Sequence, residues 1–168
     1  MKYTILIVTI LFLLAGCDRT FDELNEAGTT RFVQGNYETA IDYYNQSIEA
    51  EPEQFSAYFN KARALSELEK FDEALENFKI AEKKNPDNPA IYFEKGKMFL
   101  KSTRYDAAII EFTYAFQIYP KESKYLFYRG LAYSQLNQMG SACEDWQKAD
   151  TMGNPDAKGY LKQFCGNQ

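Results

Sequence analysis

The sequence contains no histidine, and this absence excludes a large group of catalytic and metal sites. Ser-His-Asp and Cys-His nucleophiles, imidazole metal ligands and imidazole proton transfer near neutral pH all require that side chain. Glycine-rich phosphate loops, metal-binding motifs and nucleophile elbows are missing as well. We therefore predict that the protein is not an enzyme, binds no small-molecule substrate and uses no metal or cofactor.

An excess of basic residues is also missing. The chain has 19 lysines and arginines against 24 aspartates and glutamates, which gives a formal net charge of −5 at pH 7. A protein that binds nucleic acid needs a basic face to displace counterions from the phosphates. Because acidic residues surround the basic ones in this chain, we expect no nucleic-acid partner.

Aromatic residues, by contrast, are abundant. The 168 residues include 13 tyrosines, 13 phenylalanines and one tryptophan, which together make up 16% of the chain. A chain of this length forms one domain or a short array of repeats, and it can bury a core. The aromatic residues therefore have to be explained either by that core or by a binding surface.

Residues 1–16 have the composition of a targeting signal. Met1 and Lys2 precede an apolar run that is too short to span a bilayer comfortably. The run ends in Leu-Ala-Gly-Cys, which resembles the lipobox of bacterial lipoproteins. The resemblance implies that residues 1–16 are removed and that the thiol of Cys17 carries a diacylglyceryl group. The alternative is an ordinary secretory signal that happens to precede a cysteine.

Lipidation of Cys17 would attach the protein to a membrane. Acyl chains contribute roughly 0.8 kcal/mol for each buried methylene group, so several chains anchor a domain stably. Residues 17–20 would then form the lipidated N-terminus and a short tether. We expect a bacterial membrane-anchored lipoprotein that faces the periplasm or the cell exterior, and the sequence leaves the choice of membrane open.

A period of 34 residues runs through the chain after this signal. Residues at that spacing share their character: alanine at Ala40, Ala74, Ala108 and Ala142, an aromatic residue at Tyr44, Phe78, Phe112 and Trp146, and a small residue at Gly28, Ala62, Gly96 and Gly130. A fixed period of this size indicates a repeat architecture. We divide the chain into four units, residues 21–54, 55–88, 89–122 and 123–156, followed by a final segment at residues 157–168.

Each unit has the pattern of two amphipathic helices. In the third unit, the spacing of apolar residues predicts one helix near residues 89–102 and a second near residues 105–118. The small residues Gly96 and Ala108 let the two helices approach closely, and Pro120 ends the second helix. This order of large, small, aromatic and proline positions resembles the tetratricopeptide repeat.

The resemblance covers the four units and implies an all-α fold. The family forms a right-handed superhelical solenoid of helix-turn-helix units, because one helical hairpin cannot bury its apolar face alone. We expect a C-terminal capping helix in which Tyr160, Leu161 and Phe164 cover the last unit. Arg31 stands where the family usually has a large apolar residue, so we expect the first unit to be weakened.

Cys143 and Cys165 remain as a pair once Cys17 is assigned to lipidation. Asn154 lies midway between them in a turn, and residues equidistant from the turn of an antiparallel hairpin lie at similar heights. In an oxidising compartment we predict a disulfide between them, which would contribute about 3 kcal/mol and hold the cap in place. Two independent buried thiols, or a redox or metal role, are the alternatives.

In the tetratricopeptide repeat family, the first helices of the units line a concave groove that binds a protein or peptide segment. The groove positions of this chain give Phe32, Phe59, Asn60, Arg63, Phe93, Lys97, Phe127 and Tyr128 as candidate contacts. Phe59, Phe93 and Phe127 form a ladder that would provide apolar contacts. Asn60 would meet backbone amides, and Arg63 and Lys97 would meet carboxylates. The alternative is that the phenylalanines pack against neighbouring helices.

Some members of the family grip the free C-terminal carboxylate of cytosolic chaperones with lysine, asparagine and arginine at fixed groove positions. Starting from the first unit, the corresponding residues here are Asn25, Thr29, Asn60, Ala90 and Glu94. These residues do not form such a clamp, and neither do those obtained by starting from the second unit. We therefore do not expect a partner that binds through its C-terminus.

We interpret the chain as a membrane-anchored adaptor or scaffold for protein–protein interactions in the bacterial cell envelope. By resemblance, lipoproteins of this design serve as assembly factors for envelope complexes or recruit other envelope proteins. The alternative hypothesis is a self-associating structural component of such a complex, in which the partner is a second copy of the chain.

Overall fold

The computed structural model of the protein describes residues 19–166. Across these residues the chain is helical and contains no β-strand. The helices are α1 (Phe21–Val33), α2 (Tyr37–Ala50), α3 (Phe55–Glu67), α4 (Phe71–Lys84), α5 (Pro89–Lys101), α6 (Tyr105–Ile118), α7 (Ser123–Gln135), α8 (Met139–Thr151) and the one-turn α9 (Ala157–Tyr160). None of these helices is both long enough and apolar enough to cross a bilayer. The predicted signal at residues 1–16 and Cys17 lie outside the described residues.

The helices form hairpins that stack in chain order. Helices α1 and α2, α3 and α4, α5 and α6, and α7 and α8 pack as pairs, and each pair contacts the next. The first helices of successive pairs also touch directly, α1 on α3, α3 on α5 and α5 on α7, so they share one side of the stack. The predicted all-α solenoid of helical hairpins is confirmed. In the third hairpin both helices end within one residue of their predicted bounds.

The residues that recur every 34 positions form the core. No surface is exposed at Ala40, Ala74, Ala108 and Ala142, and at most 1% is exposed at Tyr44, Phe78, Phe112 and Trp146. Burial of an aromatic side chain of this size contributes about 1.5–3 kcal/mol. Each hairpin is therefore centred on one large ring from its second helix.

A small residue in each first helix makes room for that ring. A Cβ atom added at Gly96 would lie 2.6 Å from an edge carbon of Phe112, and one added at Gly130 would lie 2.5 Å from the indole nitrogen of Trp146. Gly28 has the same relation to Tyr44, at 2.5 Å. These distances are too short for any real side chain, so the predicted close approach of the two helices at Gly96 is confirmed.

The turn inside each hairpin contains one residue in the left-handed region of φ. Gly35 occupies it in the first hairpin, where glycine has no steric penalty. The equivalent residues of the other three turns are Glu69, Thr103 and Asn137, with φ of 61°, 59° and 58°. Residues with a Cβ atom adopt this conformation at a cost of about 1–2 kcal/mol. The turn geometry is thus imposed by the packing of the hairpin and not by the local sequence.

A buried lysine connects three helices in the middle of the stack. Nζ of Lys95 in α5 lies 2.6 Å from Glu82 in α4 and 3.0 Å from Glu111 in α6. Burial opposes the charge of Lys95, but the hydrogen bond to Glu82 and the charge of Glu111 outweigh it and raise its pKa. Burial also raises the pKa of Glu111. Lys95 therefore remains charged and joins the second hairpin to the third.

Arg129 has the same role one unit later. It donates two hydrogen bonds of 2.7 Å to the carboxylate of Asp145 in α8 and one of 3.0 Å to the hydroxyl of Thr113 in α6. The hydrogen bonds to Asp145 raise the pKa of Arg129. Asp145 is buried, so the loss of either partner would leave an unpaired charge in the interior, at a cost of about 3–5 kcal/mol.

The outer face of α1 is polar, which explains why Arg31 departs from the family pattern. Glu23, Thr30 and Arg31 are all exposed. The residues that occupy these positions in the second and third units are Ala57, Ala64, Leu65, Ile91, Met98 and Phe99, and all of them are buried. Among the described residues no hairpin precedes α1. The expected weakening of the first unit by Arg31 stays a prediction.

The last hairpin is covered by a short C-terminal segment. Its start is fixed by Asn154, whose side-chain oxygen accepts two hydrogen bonds of 3.1 Å from backbone N–H groups of the segment. The segment is one α-helical turn, α9, followed by a wider π-helical turn at Leu161–Cys165, where a single capping helix was expected. The ring of Tyr160 lies 5.0 Å from that of Trp146 and 5.1 Å from that of Phe127.

The two further residues expected in the cap contribute unequally. Leu161 is partly buried and packs against the core of the last hairpin. The ring of Phe164 lies 5.9 Å from that of Trp146, but 43% of Phe164 remains exposed. The cap therefore depends mainly on Tyr160 and on its covalent link to α8.

That link is a disulfide. The sulfur atoms of Cys143 in α8 and Cys165 at the end of the cap are 2.01 Å apart, and the Cα atoms are 5.9 Å apart. The bond closes a loop between residues 22 positions apart in sequence. Whether the pair is oxidised in the cell depends on the compartment, and its oxidation there stays a prediction.

Gly96→Ala should lower the free energy of unfolding by about 1–2 kcal/mol, because the added methyl group overlaps the ring of Phe112 and the core has to shift. The higher helix propensity of alanine offsets about 1 kcal/mol of the cost. Gly140→Ala is the control, since Gly140 in α8 has open space around it. Denaturant unfolding of both variants measures the difference, and equal effects would contradict the close contact at Gly96.

Reduction of the disulfide should lower the free energy of unfolding by about 3 kcal/mol, because the open loop gives the unfolded chain more freedom. Thermal unfolding of the oxidised protein and of Cys165→Ser tests this. A mass measurement after thiol alkylation provides the direct check. Two alkylated thiols at Cys143 and Cys165 in protein isolated from the cell envelope would contradict the predicted bond.

Candidate protein-binding groove

The first helices of the second, third and fourth hairpins line a pocket of about 390 Å³. Its walls are formed by Arg63, Ser66, Glu67, Phe78, Glu94, Lys97, Met98, Leu100, Lys101 and Tyr128. Apolar groups come from the core at its base, and charged groups surround them. This arrangement of an apolar base and a polar rim is typical of sites that hold a ligand segment by both kinds of contact.

Two of the three phenylalanines predicted to contact a ligand belong to the core. Phe93 is 8% exposed, and its ring packs 5.8 Å from Phe112 and 5.1 Å from Tyr128. Phe127 is 6% exposed and packs 5.1 Å from Tyr160 of the cap. The expected ladder of phenylalanines is therefore corrected at these two positions, where the packing alternative describes the structure.

Phe59 and Phe32 remain partly exposed, and they hold Arg63 between them. The guanidinium carbon of Arg63 lies 4.6 Å from the ring centre of Phe32 in α1 and 5.6 Å from that of Phe59 in α3. Phe59 also packs edge-on against Phe78, with 6.2 Å between the ring centres. Cation–π contacts of this kind contribute about 0.5–1 kcal/mol at exposed sites. They also restrict where the guanidinium can point.

Asn60 is engaged within the protein. Its side-chain amide donates a hydrogen bond of 3.1 Å to the side-chain oxygen of Asn25, which connects α3 to α1. Asn60 was expected to meet the backbone of a bound segment. To do so, it would have to exchange this internal hydrogen bond for one to the ligand.

The lysines of the pocket are paired with neighbouring carboxylates. Lys97 lies 3.0 Å from Glu94 on the same helix. Lys101 lies 3.1 Å from the carboxylate of Glu67 and also donates hydrogen bonds to the backbone oxygens of Ser66 and Glu67, at 3.2 and 3.1 Å. A cation at the C-terminus of a helix interacts favourably with its dipole. Lys101 therefore also stabilises the end of α3.

The predicted groove residues are brought together only in part. Arg63, Lys97 and Tyr128 line the pocket, while Phe32 and Phe59 support Arg63 from the side. Glu67 was missed by the sequence analysis, although a signal for it exists. Glu67 and Lys101 occupy the same position in successive units and have opposite charges, which favours an ion pair between adjacent helices.

The chemistry of the pocket is that of its charged and apolar side chains. Within residues 19–166 there is no group of three cysteine, aspartate or glutamate side chains arranged to hold a metal ion. The charged side chains of the pocket can make ion pairs and hydrogen bonds, and its base can accept an apolar side chain.

A model of the tetratricopeptide repeat family matches residues 25–66 and 59–123, which is more than half of the chain. Tetratricopeptide repeat protein 12 of Homo sapiens is 39% identical over 62 residues, which cover 37% of this chain and 9% of that protein. An uncharacterized protein of Methanocaldococcus jannaschii is 44% identical over 45 residues, 27% of this chain and 52% of that protein. The chain thus matches about a tenth and about half of the lengths of these two relatives.

Several solved structures share the fold. PilF of Pseudomonas aeruginosa has a TM-score of 0.73 at 21% identity, with 79% of this chain and 61% of that chain covered. MamA of Desulfovibrio magneticus has a TM-score of 0.73 at 18% identity, with 81% and 76% covered. A second crystal structure of MamA has a TM-score of 0.76 at 20% identity, with 87% and 85% covered. At such low identity these likenesses show the fold alone.

Proposed function

This chain belongs to the tetratricopeptide repeat family, and on that premise we propose that it is a protein-interaction scaffold anchored through Cys17 to a membrane of the bacterial cell envelope. The observation that supports it most is the pocket shared by three first helices, with an apolar base and a charged rim. A segment of a partner protein lying along the stack would contact all three helices at once. The proposed role is to hold that partner and not to change it chemically.

The anchor is proposed from the sequence around Cys17. Only the short stretch at residues 18–20 separates Cys17 from the start of α1. The first hairpin would therefore lie no farther from the membrane surface than the length of these few residues, since an extended residue spans at most about 3.6 Å. The groove would face a partner close to that surface.

The ends of the stack disfavour the alternative of head-to-tail self-association. The outer face of α1 is polar at Glu23, Thr30 and Arg31, and the last hairpin is covered by the cap. A second copy would have to desolvate charged groups at one end and displace a disulfide-linked segment at the other. We therefore place the interaction in the groove and not at the ends.

Cys17→Ser should abolish lipid attachment, because the thiol is the proposed site of acylation. Growth of a bacterial host with labelled palmitate, followed by purification of the full-length protein, measures it directly. Cys143→Ser is the matched control and should keep the label. Label on the Cys17→Ser variant, or an unlabelled wild-type protein, would contradict the anchor.

A photo-crosslinking residue at position 97, in the pocket, should capture a partner of defined mass in intact cells. The same residue at position 79 should not, because Lys79 lies on the second helix α4 and does not line the pocket. Both side chains are at the surface, so exposure does not distinguish the two positions. Equal capture from both would show that the groove is not the interaction site.

A further inference from the structure

We propose that Arg63 binds an aspartate or glutamate side chain within the partner segment. This proposal rests on the proposed function of the groove. The carboxylate would meet the exposed part of the Arg63 side chain. This is a side chain inside the bound segment and not the free C-terminus of the partner.

The position of Arg63 is fixed before any ligand arrives. Rings from two successive hairpins, Phe32 and Phe59, lie 4.6 and 5.6 Å from its guanidinium carbon. The side chain is 30% exposed, so part of it still reaches solvent. Because contact with the rings restricts the rotation of the side chain, less conformational entropy is lost when an anion binds.

One hydrogen-bond donor of Arg63 has no partner among the described residues. Its Nε atom is buried and has no hydrogen-bond partner among residues 19–166. The carboxylate oxygen of Glu94 is 3.8 Å from Nε, which is beyond hydrogen-bond distance. Because Nε has almost no exposed surface, a ligand carboxylate would bind the exposed part of the side chain, which is 30% of its surface.

The other two cations of the pocket differ from Arg63 in this respect. Lys97 donates a hydrogen bond of 3.0 Å to Glu94, and Lys101 donates one of 3.1 Å to Glu67. Three cations therefore face two carboxylates in the pocket, which leaves an excess of one positive charge. The whole chain, by contrast, has a net charge of −5. The pocket is thus locally attractive to a negative group in an otherwise acidic protein.

The pocket suits an acidic side chain with an aliphatic neighbour. A guanidinium group matches the two oxygens of a carboxylate with parallel hydrogen bonds. The apolar side chains of Leu100 and Tyr128 in the same pocket would accept an aliphatic neighbour of the acidic residue.

The test starts from a random library of 12-residue peptides displayed on phage, selected on the mature full-length protein in detergent. We expect the selected peptides to be enriched in aspartate or glutamate beside a large aliphatic residue. One selected peptide and its Asp→Asn or Glu→Gln counterpart are then measured against wild-type protein, Arg63→Gln and Arg104→Gln. Arg104 is the matched control, because it stacks 4.6 Å from the ring of Phe99 outside the pocket.

The expected result is a coupled loss. Removing the peptide carboxylate, or making Arg63→Gln, should each weaken binding about tenfold, and both changes together should weaken it little further. Arg104→Gln should stay within twofold of wild type. Glu94→Gln should bind the acidic peptide more tightly, since it removes the nearby negative charge. The gain should be smaller in the Arg63→Gln background, whereas a gain that came only from the freed Lys97 would be equal in both backgrounds.

Two results would overturn the inference in distinguishable ways. In the first, peptides are selected and crosslink from position 97, but the losses of binding caused by Arg63→Gln and by the peptide substitution are additive. The groove then binds protein without the proposed carboxylate contact. If selection gives no enrichment over the starting library, peptide binding in the groove is contradicted, and the proposed function fails with the inference. Melting temperatures of all variants, compared with wild type, exclude loss of folding as the cause.

Discussion

The contact between a small residue in each first helix and a large ring in the second helix is the constraint on which the rest of the structure depends. At Gly96 and Phe112 a single methyl group would already be too large. This contact sets the distance between the two helices and therefore the thickness of each hairpin. The stack repeats it along its length, with small variations such as Ala62 in the second hairpin. Successive hairpins are then joined by the ion pair of Lys95 with Glu82 and by the hydrogen bond from Arg129 to Thr113.

The close packing has a direct consequence for recognition. Phe93 packs against a ring of the next hairpin and Phe127 against a ring of the cap, so both lie in the core and the groove keeps few large apolar groups at its surface. Binding in the groove then depends on charged side chains above an apolar base. Arg63 differs from the paired lysines because the two rings beside it hold it in place without satisfying its hydrogen bonds. The specificity proposed for the groove comes from the partly exposed guanidinium group that the two rings position.

The two ends of the described stack are treated in different ways. The first helix replaces the apolar residues of an internal interface with exposed polar ones, Arg31 among them, so its outer face is compatible with water. The last hairpin keeps apolar groups such as Trp146, and a separate segment covers them. That segment is short, so its packing through Tyr160 is supplemented by the bond between Cys143 and Cys165.

The sequence by itself determined the repeat, the helical hairpins and the residues of their cores. A strict period of 34 residues gives the positions equivalent to Ala108 and to Phe112 the same environment in every unit. It also identified three of the residues that line the pocket, Arg63, Lys97 and Tyr128. Only the tertiary structure decided which of the predicted groove residues are available, because burial of Phe93 depends on rings from the next hairpin, and the ion pairs of the lysines depend on neighbouring helices. Arg63 could be identified from its position in the repeat. Whether its Nε donor has a partner depends on the side chains of the surrounding helices, and a single repeat does not encode those contacts.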